Sequence, residues 1–110
     1  MKNFYITTTP PYVNAEPHVG FAMEIIRADV IARAKKLDGY NVFFNTGTDE
    51  HGAKVHRNAL ALGVDPQKYV DDLSSKFKEI LPLLGISSDI NFIRTTDANH
   101  IKAAQEFWML

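Results

Sequence analysis

The alternation of short apolar strand segments with longer helical segments is the feature that most constrains the fold of this chain. We predict strands at residues 4–7, 41–45 and 91–94, which are rich in aromatic and β-branched residues. Helices are predicted in the segments between and after them. This alternation is typical of parallel strands joined by crossover helices. The sequence therefore predicts an α/β fold with the order strand, helix, strand, helix, helix, strand, helix.

Signals at the helix ends support this order. The first helix is predicted over residues 18–37, and Gly39 follows it where a left-handed residue commonly ends a helix. Its expected buried face consists of apolar residues at helical spacing, namely Ala22, Ile26, Val30, Ala34 and Leu37. A short second helix is predicted to stop at Gly63. Asp65 followed by Pro66 is a strong start for the third helix.

The third helix has a clear apolar stripe made of Val70, Leu73, Phe77, Ile80, Leu81 and Leu84. We expect Pro82 and Gly85 to end it. The pair Thr96-Asp97 is expected to cap a last helix that carries Ile101, Ala104 and Trp108.

Composition excludes several classes of protein. With 110 residues, 45% apolar and 23% charged, the chain is suited to one small globular domain. Twelve basic residues balance thirteen acidic ones, whereas a dedicated nucleic-acid module usually has a basic surplus. Cysteine is absent, which excludes disulfides and thiol catalysis. We expect a cytoplasmic domain, because no signal peptide and no apolar run of about 18 residues is present.

In parallel sheets, ligands bind beyond the carboxyl ends of the strands. The first segment that leaves a strand there is residues 8–20, which ends in His18 and Gly20 at the predicted start of a helix. Free amides at a helix start favour a phosphate, to which His18 could add a donor. The alternative is that His18 is a surface residue and Gly20 only allows packing. The common nucleotide signatures GxGxxG and GxxxxGK[ST] are absent.

The second such segment is residues 46–52, predicted to be a polar turn. Its Asp49 carboxylate would suit an ammonium ion through a charge-assisted hydrogen bond. The alternative is a solvated turn in which Asp49 caps a helix. A metal site would require Asp49 and His51 to converge with His18 or His56. We expect no metal site, because His51 and His56 do not share a helix face.

Three segments resemble one known family. Residues 5–20, YITTTPPYVNAEPHVG, are similar to the start of class I methionyl-tRNA synthetases, in which a proline-tyrosine-x-asparagine loop leads into the HIGH motif. Residues 46–52, TGTDEHG, resemble the second signature of that family at the expected distance. Residues 92–97, FIRTTD, followed by a helix with a late tryptophan, also resemble it. The likeness covers essentially the whole chain.

The resemblance implies a Rossmann-like, HUP-type nucleotide-binding domain. Residues 1–110 would form the N-terminal portion of that class I catalytic domain. The family activates methionine with ATP, taken up with Mg²⁺, to methionyl-adenylate and transfers it to tRNA for translation. The implied partners are therefore methionine, ATP and, in the full-length protein, tRNA, with no membrane.

The resemblance also implies roles for two groups of residues. The nucleotide group is His18, Gly20 and Phe21, with His18 also catalytic. The amino-acid group is Pro10, Tyr12, Asp49 and His51. Asp49 would bind the amino group of methionine, and Tyr12 with Pro10 would border its side chain. His51 would lie near the substrates.

Two features depart from the family pattern. Phe21 replaces the second histidine of HIGH, so we expect weaker stabilisation of the phosphates and slow activation of methionine. We expect Phe21 to project to the same side as His18, three residues earlier, or to pack into the core beside Ile25. The sequence also ends at Leu110, before the family's inserted domain with its zinc-binding insertion, the rest of the sheet, the KMSKS loop and the anticodon-binding domain. Residues 73–77, LSSKF, only superficially resemble KMSKS, because they lie in a predicted amphipathic helix.

Two other functions stay open at this point. One is a small nucleotidyltransferase of the wider superfamily that carries HxGH. The other is a catalytically silent binding module, which the Phe21 replacement favours.

Overall fold

The three strands form one parallel sheet in the order β1-β2-β3. A computed structural model describes all residues, Met1–Leu110. The elements, in the order predicted, are β1 (Asn3–Thr7), α1 (Val19–Leu37), β2 (Asn41–Thr48), α2 (Ala53–Ala61), α3 (Pro66–Leu83), β3 (Asn91–Arg94) and α4 (Ala98–Trp108). None of these helices is both long and apolar enough to cross a membrane.

The central strand β2 is longer than predicted. Its residues 41–45 pair with β1, and its residues 45–48 pair with β3. The prediction that the polar turn begins at residue 46 is therefore wrong. Thr46 and Thr48 are buried, but their hydroxyls are satisfied by hydrogen bonds to Thr8 at 2.6 Å and Ser74 at 2.8 Å. These partners allow polar side chains in a buried strand.

Gly47 is required by the pairing of β2 with β3. A Cβ at this position would lie 1.8 Å from the carbonyl oxygen of Ile93. Only glycine allows the two strands to approach this closely. Gly47, which falls in the segment predicted to be a turn, is therefore a strand residue.

One buried cluster joins α1, α3 and the inner face of β2. It includes Phe21, Ile25, Phe44, Val70, Leu73, Phe77 and Leu81. The predicted stripe of α3 is confirmed for the four of these residues that lie on that helix, and LSSKF lies within α3 as expected. Asp65 caps α3 by accepting a hydrogen bond from the Lys68 amide at 3.1 Å, and Pro66 is its first residue. Pro82 lies in its last turn.

The predicted buried face of α1 is wrong. Its buried residues are Phe21, Ile25, Ala28, Asp29 and Ala32. Ile26, Val30 and Leu37 are instead 40%, 61% and 90% exposed. α1 carries apolar residues on two faces, and this chain covers only one of them. Similarly, Tyr5 and Phe43 stack on the outer face of the sheet and stay exposed.

Asp29 joins α1 to the segment between α3 and β3. Its carboxylate accepts hydrogen bonds from the Arg33 guanidinium at 2.6 Å and from the amide and hydroxyl of Ser87 at 3.0 and 2.6 Å. Burial acts to raise the pKa of Asp29, but the bonds from Ser87 and Arg33 outweigh it and hold that pKa below its usual value. The carboxylate therefore stays charged at neutral pH.

The start and end of the remaining helices follow the predictions in part. Gly39, just after α1, has the expected left-handed conformation with φ +82°. Asp97 precedes α4 as its N-cap, but its carboxylate accepts from the Arg94 amide and not from an amide of the helix. No residue of α4 is buried, and its apolar residues Phe107 and Trp108 are 78% and 88% exposed.

Candidate active site

Two clefts lie where β1 leads into α1. The tyrosine cleft, about 280 Å³, is lined by Pro11, Tyr12, Asn14, Ala15, Glu16, His18, Phe21 and Phe77. The glycine cleft, about 330 Å³, is lined by Thr9, Pro11, His18, Gly20, Phe21 and Glu24. Pro11, His18 and Phe21 line both clefts. The clefts therefore lie at the carboxyl end of a parallel strand and at the start of a helix, where phosphate-binding sites form.

His18 is the N-cap of α1. Its Nδ1 accepts a hydrogen bond from the amide of Gly20 at 3.0 Å. A neutral imidazole that accepts at Nδ1 carries its proton on Nε2. His18 is exposed, so this Nε2–H is available to donate to a bound ligand.

The His18 ring lies in space that is free only because residue 20 is glycine. A Cβ on Gly20 would lie 2.8 Å from Cε1 and 3.0 Å from Nδ1 of the His18 ring. Because Gly20 has no Cβ, the ring can lie where it accepts a hydrogen bond from the Gly20 amide. The alternative that Gly20 only allows packing stays open, since this contact involves no ligand.

Phe21 lines both clefts together with His18, as expected, but most of its side chain is buried. Its side chain is 7% exposed and packs edge to face on Phe77, with ring centroids 5.1 Å apart. It belongs to the same buried cluster as Ile25, which matches the other expectation. His18 precedes the helix in an extended conformation, with φ −129°, and is exposed, whereas Phe21 lies within the helix. The assignment of Phe21 to a nucleotide site stays a prediction.

Asp49 lies beside the first loop, paired with Tyr12 in a parallel bridge. The amide of Asp49 donates to the carbonyl of Pro11 at 2.9 Å, and its carbonyl accepts from the amide of Val13 at 3.0 Å. The alternative that Asp49 caps a helix is wrong, because the N-cap of α2 is Gly52. The carboxylate of Asp49 forms no ion pair within the chain.

The side chain of Tyr12 reaches the start of α2. Its hydroxyl accepts a hydrogen bond from the amide of Val55 at 3.3 Å. Gly52 has φ +130°, and a Cβ there would lie 2.5 Å from the Tyr12 hydroxyl. Gly52 is therefore needed both for its backbone conformation and for the space that Tyr12 occupies. Pro10 is exposed and lines neither cleft.

His51 is held against the turn that follows β3 and lines neither cleft. The carbonyl oxygen of Thr95 lies 3.1 Å from its Nε2, so Nε2 donates this hydrogen bond. The structure shows no group of three or more metal-ligating side chains that converge.

Sequence reasoning did not identify the ion pair of Glu50 with Arg94. The Glu50 side chain is fully buried, and it receives hydrogen bonds from Nη2 of Arg94 at 2.5 Å and from Nε at 2.9 Å. Glu50 raises the pKa of Arg94 against the effect of burial. Arg94 in turn lowers the pKa of Asp71 on α3, with Nη2 to Oδ1 at 2.6 Å. The available signal was an arginine and a carboxylate, each at the end of a neighbouring parallel strand.

Comparisons with known proteins agree with this architecture. Residues 4–110 match the family of tRNA synthetases class I (M). The chain is 56% identical to the methionine–tRNA ligase of Thermotoga maritima over 94% of this chain and 16% of that ligase. It thus spans about a fifth or less of the length of such relatives.

Solved structures show the same fold. Methionyl-tRNA synthetase of Mycobacterium tuberculosis, in complex with methionyl-adenylate, superimposes with a TM-score of 0.94 at 50% identity, over 99% of this chain and 21% of that one. The LeuRS of Agrobacterium radiobacter K84, in a ternary complex with tRNA and LeuAMS, has a TM-score of 0.86 at 26% identity, over 98% of this chain and 14% of that one. The chain therefore belongs to the family of class I tRNA synthetases (M), and its parallel sheet is part of their Rossmann-like fold.

Proposed function

We propose that the natural polypeptide containing this chain is a methionine–tRNA ligase, which forms methionyl-adenylate from methionine and ATP and transfers the methionyl group to tRNA. The observation that carries this proposal is the 50% identity and TM-score of 0.94 to a methionyl-tRNA synthetase in complex with methionyl-adenylate. Residues 1–110 would be the N-terminal portion of the catalytic domain. Its place would be the cytoplasm, where translation takes place.

ATP would bind at the glycine cleft. The Nε2–H of His18 and the amides of Val19 and Phe21 are donors at a helix start, where a phosphate is favoured, while the Gly20 amide already donates to His18. In the transition state, charge builds on the α-phosphate as the methionine carboxylate attacks it and pyrophosphate leaves. A preorganised donor such as His18 stabilises that charge. Mg²⁺ would enter as the complex with ATP.

Methionine would bind at the tyrosine cleft, which Tyr12 lines. Asp49 lines neither cleft, but its backbone pairs with that of Tyr12. The Asp49 carboxylate is not used by any ion pair in the chain, so it can bind the ammonium of an amino acid. Tyr12 supplies an aromatic surface for a thioether side chain. Pro10 and His51 have no direct support in either cleft, and their roles rest on the family resemblance.

The test is methionine-dependent exchange of pyrophosphate into ATP by the complete natural polypeptide. We expect exchange with methionine, and at least about tenfold less with leucine at equal concentration, because a pocket that fits one apolar side chain excludes a differently shaped one. Leucine is the informative control, since a LeuRS shares the fold. Exchange that needs a phosphate-bearing acceptor and no amino acid would favour the nucleotidyltransferase, since pyrophosphate returns to ATP only from an adenylated acceptor. No exchange with either kind of acceptor would favour the silent binding module.

A further inference from the structure

We propose that Arg94 is a positioning residue for Asp49: it holds the buried carboxylate of Glu50 and thereby fixes the loop that presents Asp49 to its ligand. This inference rests on the proposed function, in which Asp49 binds the ammonium of methionine. Its evidence is the set of contacts between residues 48–51 and the turn after β3.

The Glu50 carboxylate accepts hydrogen bonds from three side chains, those of Arg94, Thr48 and Thr96. Arg94 donates to it through both Nε and Nη2, at 2.9 and 2.5 Å. The hydroxyls of Thr48 and Thr96 donate to the same carboxylate at 2.8 and 3.1 Å. Glu50 therefore has a full set of donors and cannot turn toward a ligand. Asp49, its neighbour in the chain, has none of these partners.

The backbone of the loop is held from two sides. On one side, the amide of Glu50 donates to the Thr95 hydroxyl at 2.8 Å, next to the His51 bond to the Thr95 carbonyl. On the other side, the backbone of Asp49 pairs with Pro11 and Val13. Asp49 thus lies between the first loop and the turn that Arg94 begins.

Removing the guanidinium would release this arrangement. A buried carboxylate without a positive partner either takes up a proton or moves toward water. Either change alters the position of the next residue, Asp49. Lysine keeps the charge but lacks the two-pronged geometry of arginine, so Arg94→Lys should show a smaller effect in the same direction.

The matched control is Arg33, which also binds a buried carboxylate, that of Asp29, but in the C-terminal half of α1, away from His18. We compare Arg94→Met with Arg33→Met in the complete natural polypeptide by amide hydrogen exchange. The amides of Asp49 and Glu50 should exchange at least about tenfold faster in Arg94→Met and within about twofold of the parent in Arg33→Met. Equal protection in the two variants would overturn the proposal. If either methionine variant fails to fold, the two lysine variants replace them with the same expected order.

A double-mutant cycle separates positioning from general damage. Arg94→Met should raise the KM for methionine at least about tenfold and change the KM for ATP by no more than about twofold. In an Asp49→Asn background the same substitution should change the KM for methionine by no more than about twofold, because the group it positions is gone. Additive effects of the two substitutions on the KM for methionine would contradict the positioning role of Arg94. Equal rises in the KM for methionine and the KM for ATP would also contradict it. A parent without methionine-dependent exchange would refute the proposed function, while the hydrogen-exchange result still decides the role of Arg94.

Discussion

Tyr12 and Asp49 face each other across two parallel segments, joined by hydrogen bonds from Asp49 to Pro11 and from Val13 to Asp49. The pairing lies beyond the ends of both strands and is shifted by one residue from the β1–β2 register. It brings an aromatic side chain and a carboxylate without an ion-pair partner to the same edge of the sheet. Val13, which is fully buried, anchors the arrangement in the core.

Asp49→Asn should weaken methionine binding by about 1.5–3 kcal/mol, the usual value of a hydrogen bond to a charged group. The KM for ATP should change little, because the nucleotide is assigned to the glycine cleft. Steady-state exchange kinetics measure both. Asp89→Asn is the control, since Asp89 is an exposed carboxylate that pairs with Lys36. Equal losses for methionine and ATP would contradict the role of Asp49.

Gly20→Ala should slow adenylate formation without destabilising the fold. The new Cβ would collide with the His18 ring, which then turns away and gives up its capping hydrogen bond from the Gly20 amide. Loss of the cap costs about 1 kcal/mol, and the higher helix propensity of alanine offsets it by a similar amount. We therefore expect a nearly unchanged melting temperature together with a loss of rate of about tenfold or more. A variant with the parent rate would show that the orientation of His18 is unimportant.

Phe21→His should lower stability and should not raise activity. The family pattern alone predicts that an imidazole here restores a phosphate contact. In the structure, the side chain is buried against Phe77, so an imidazole loses apolar contacts and places a polar ring in the core. We expect a loss of about 1–3 kcal/mol in the free energy of unfolding and a rate within about twofold of the parent.

Urea denaturation and exchange assays measure these two quantities for Phe21→His. Phe21→Met is the control, because it keeps an apolar side chain of similar volume and should cost less than about 1.5 kcal/mol. A tenfold gain in rate for the histidine variant would mean that residue 21 contacts the nucleotide after all.

The loss of stability caused by Asp29→Asn should depend on pH. The folded state lowers the pKa of Asp29, so the charged carboxylate stabilises the protein above its unfolded pKa of about 3.9. That contribution disappears as the pH falls through the folded pKa. We expect Asp29→Asn to cost about 1.5–3 kcal/mol at pH 7 and much less once the pH lies below the folded pKa of Asp29. Denaturation of parent and variant across this range measures it, and a cost that is constant with pH would contradict the charged role.

Local signals predicted the secondary structure well where one residue type decides the backbone. Asp65 with Pro66 marked the start of α3, and Gly39 marked the end of α1. The parallel sheet followed from the alternation of elements. The buried face of α1 could not be predicted from periodicity, because this helix has apolar residues on two faces. Which face is buried depends on what the rest of the chain packs against it.

The short motifs predicted which residues lie at the candidate site, but they did not predict the contacts between distant parts of the chain. The motifs placed His18 and Asp49 beyond neighbouring strands, and the structure brings their loops together. The Glu50–Arg94 pair depends on residues 44 positions apart, whose meeting requires the register of β2 with β3. Likewise, the polar residues Thr46 and Thr48 predict a turn. Their place in a buried strand depends on hydrogen bonds to Thr8 and Ser74, which the local sequence does not indicate.

The most direct test of the account is a crystal structure of the complete natural polypeptide with methionyl-adenylate. We predict that the phosphate lies within hydrogen-bonding distance of Nε2 of His18, about 2.7–3.2 Å, and that the ammonium lies at a similar distance from the Asp49 carboxylate. The Glu50–Arg94 pair should stay intact beneath it. An adenylate bound away from both His18 and Asp49, or an Asp49 turned away from the ammonium, would contradict the account.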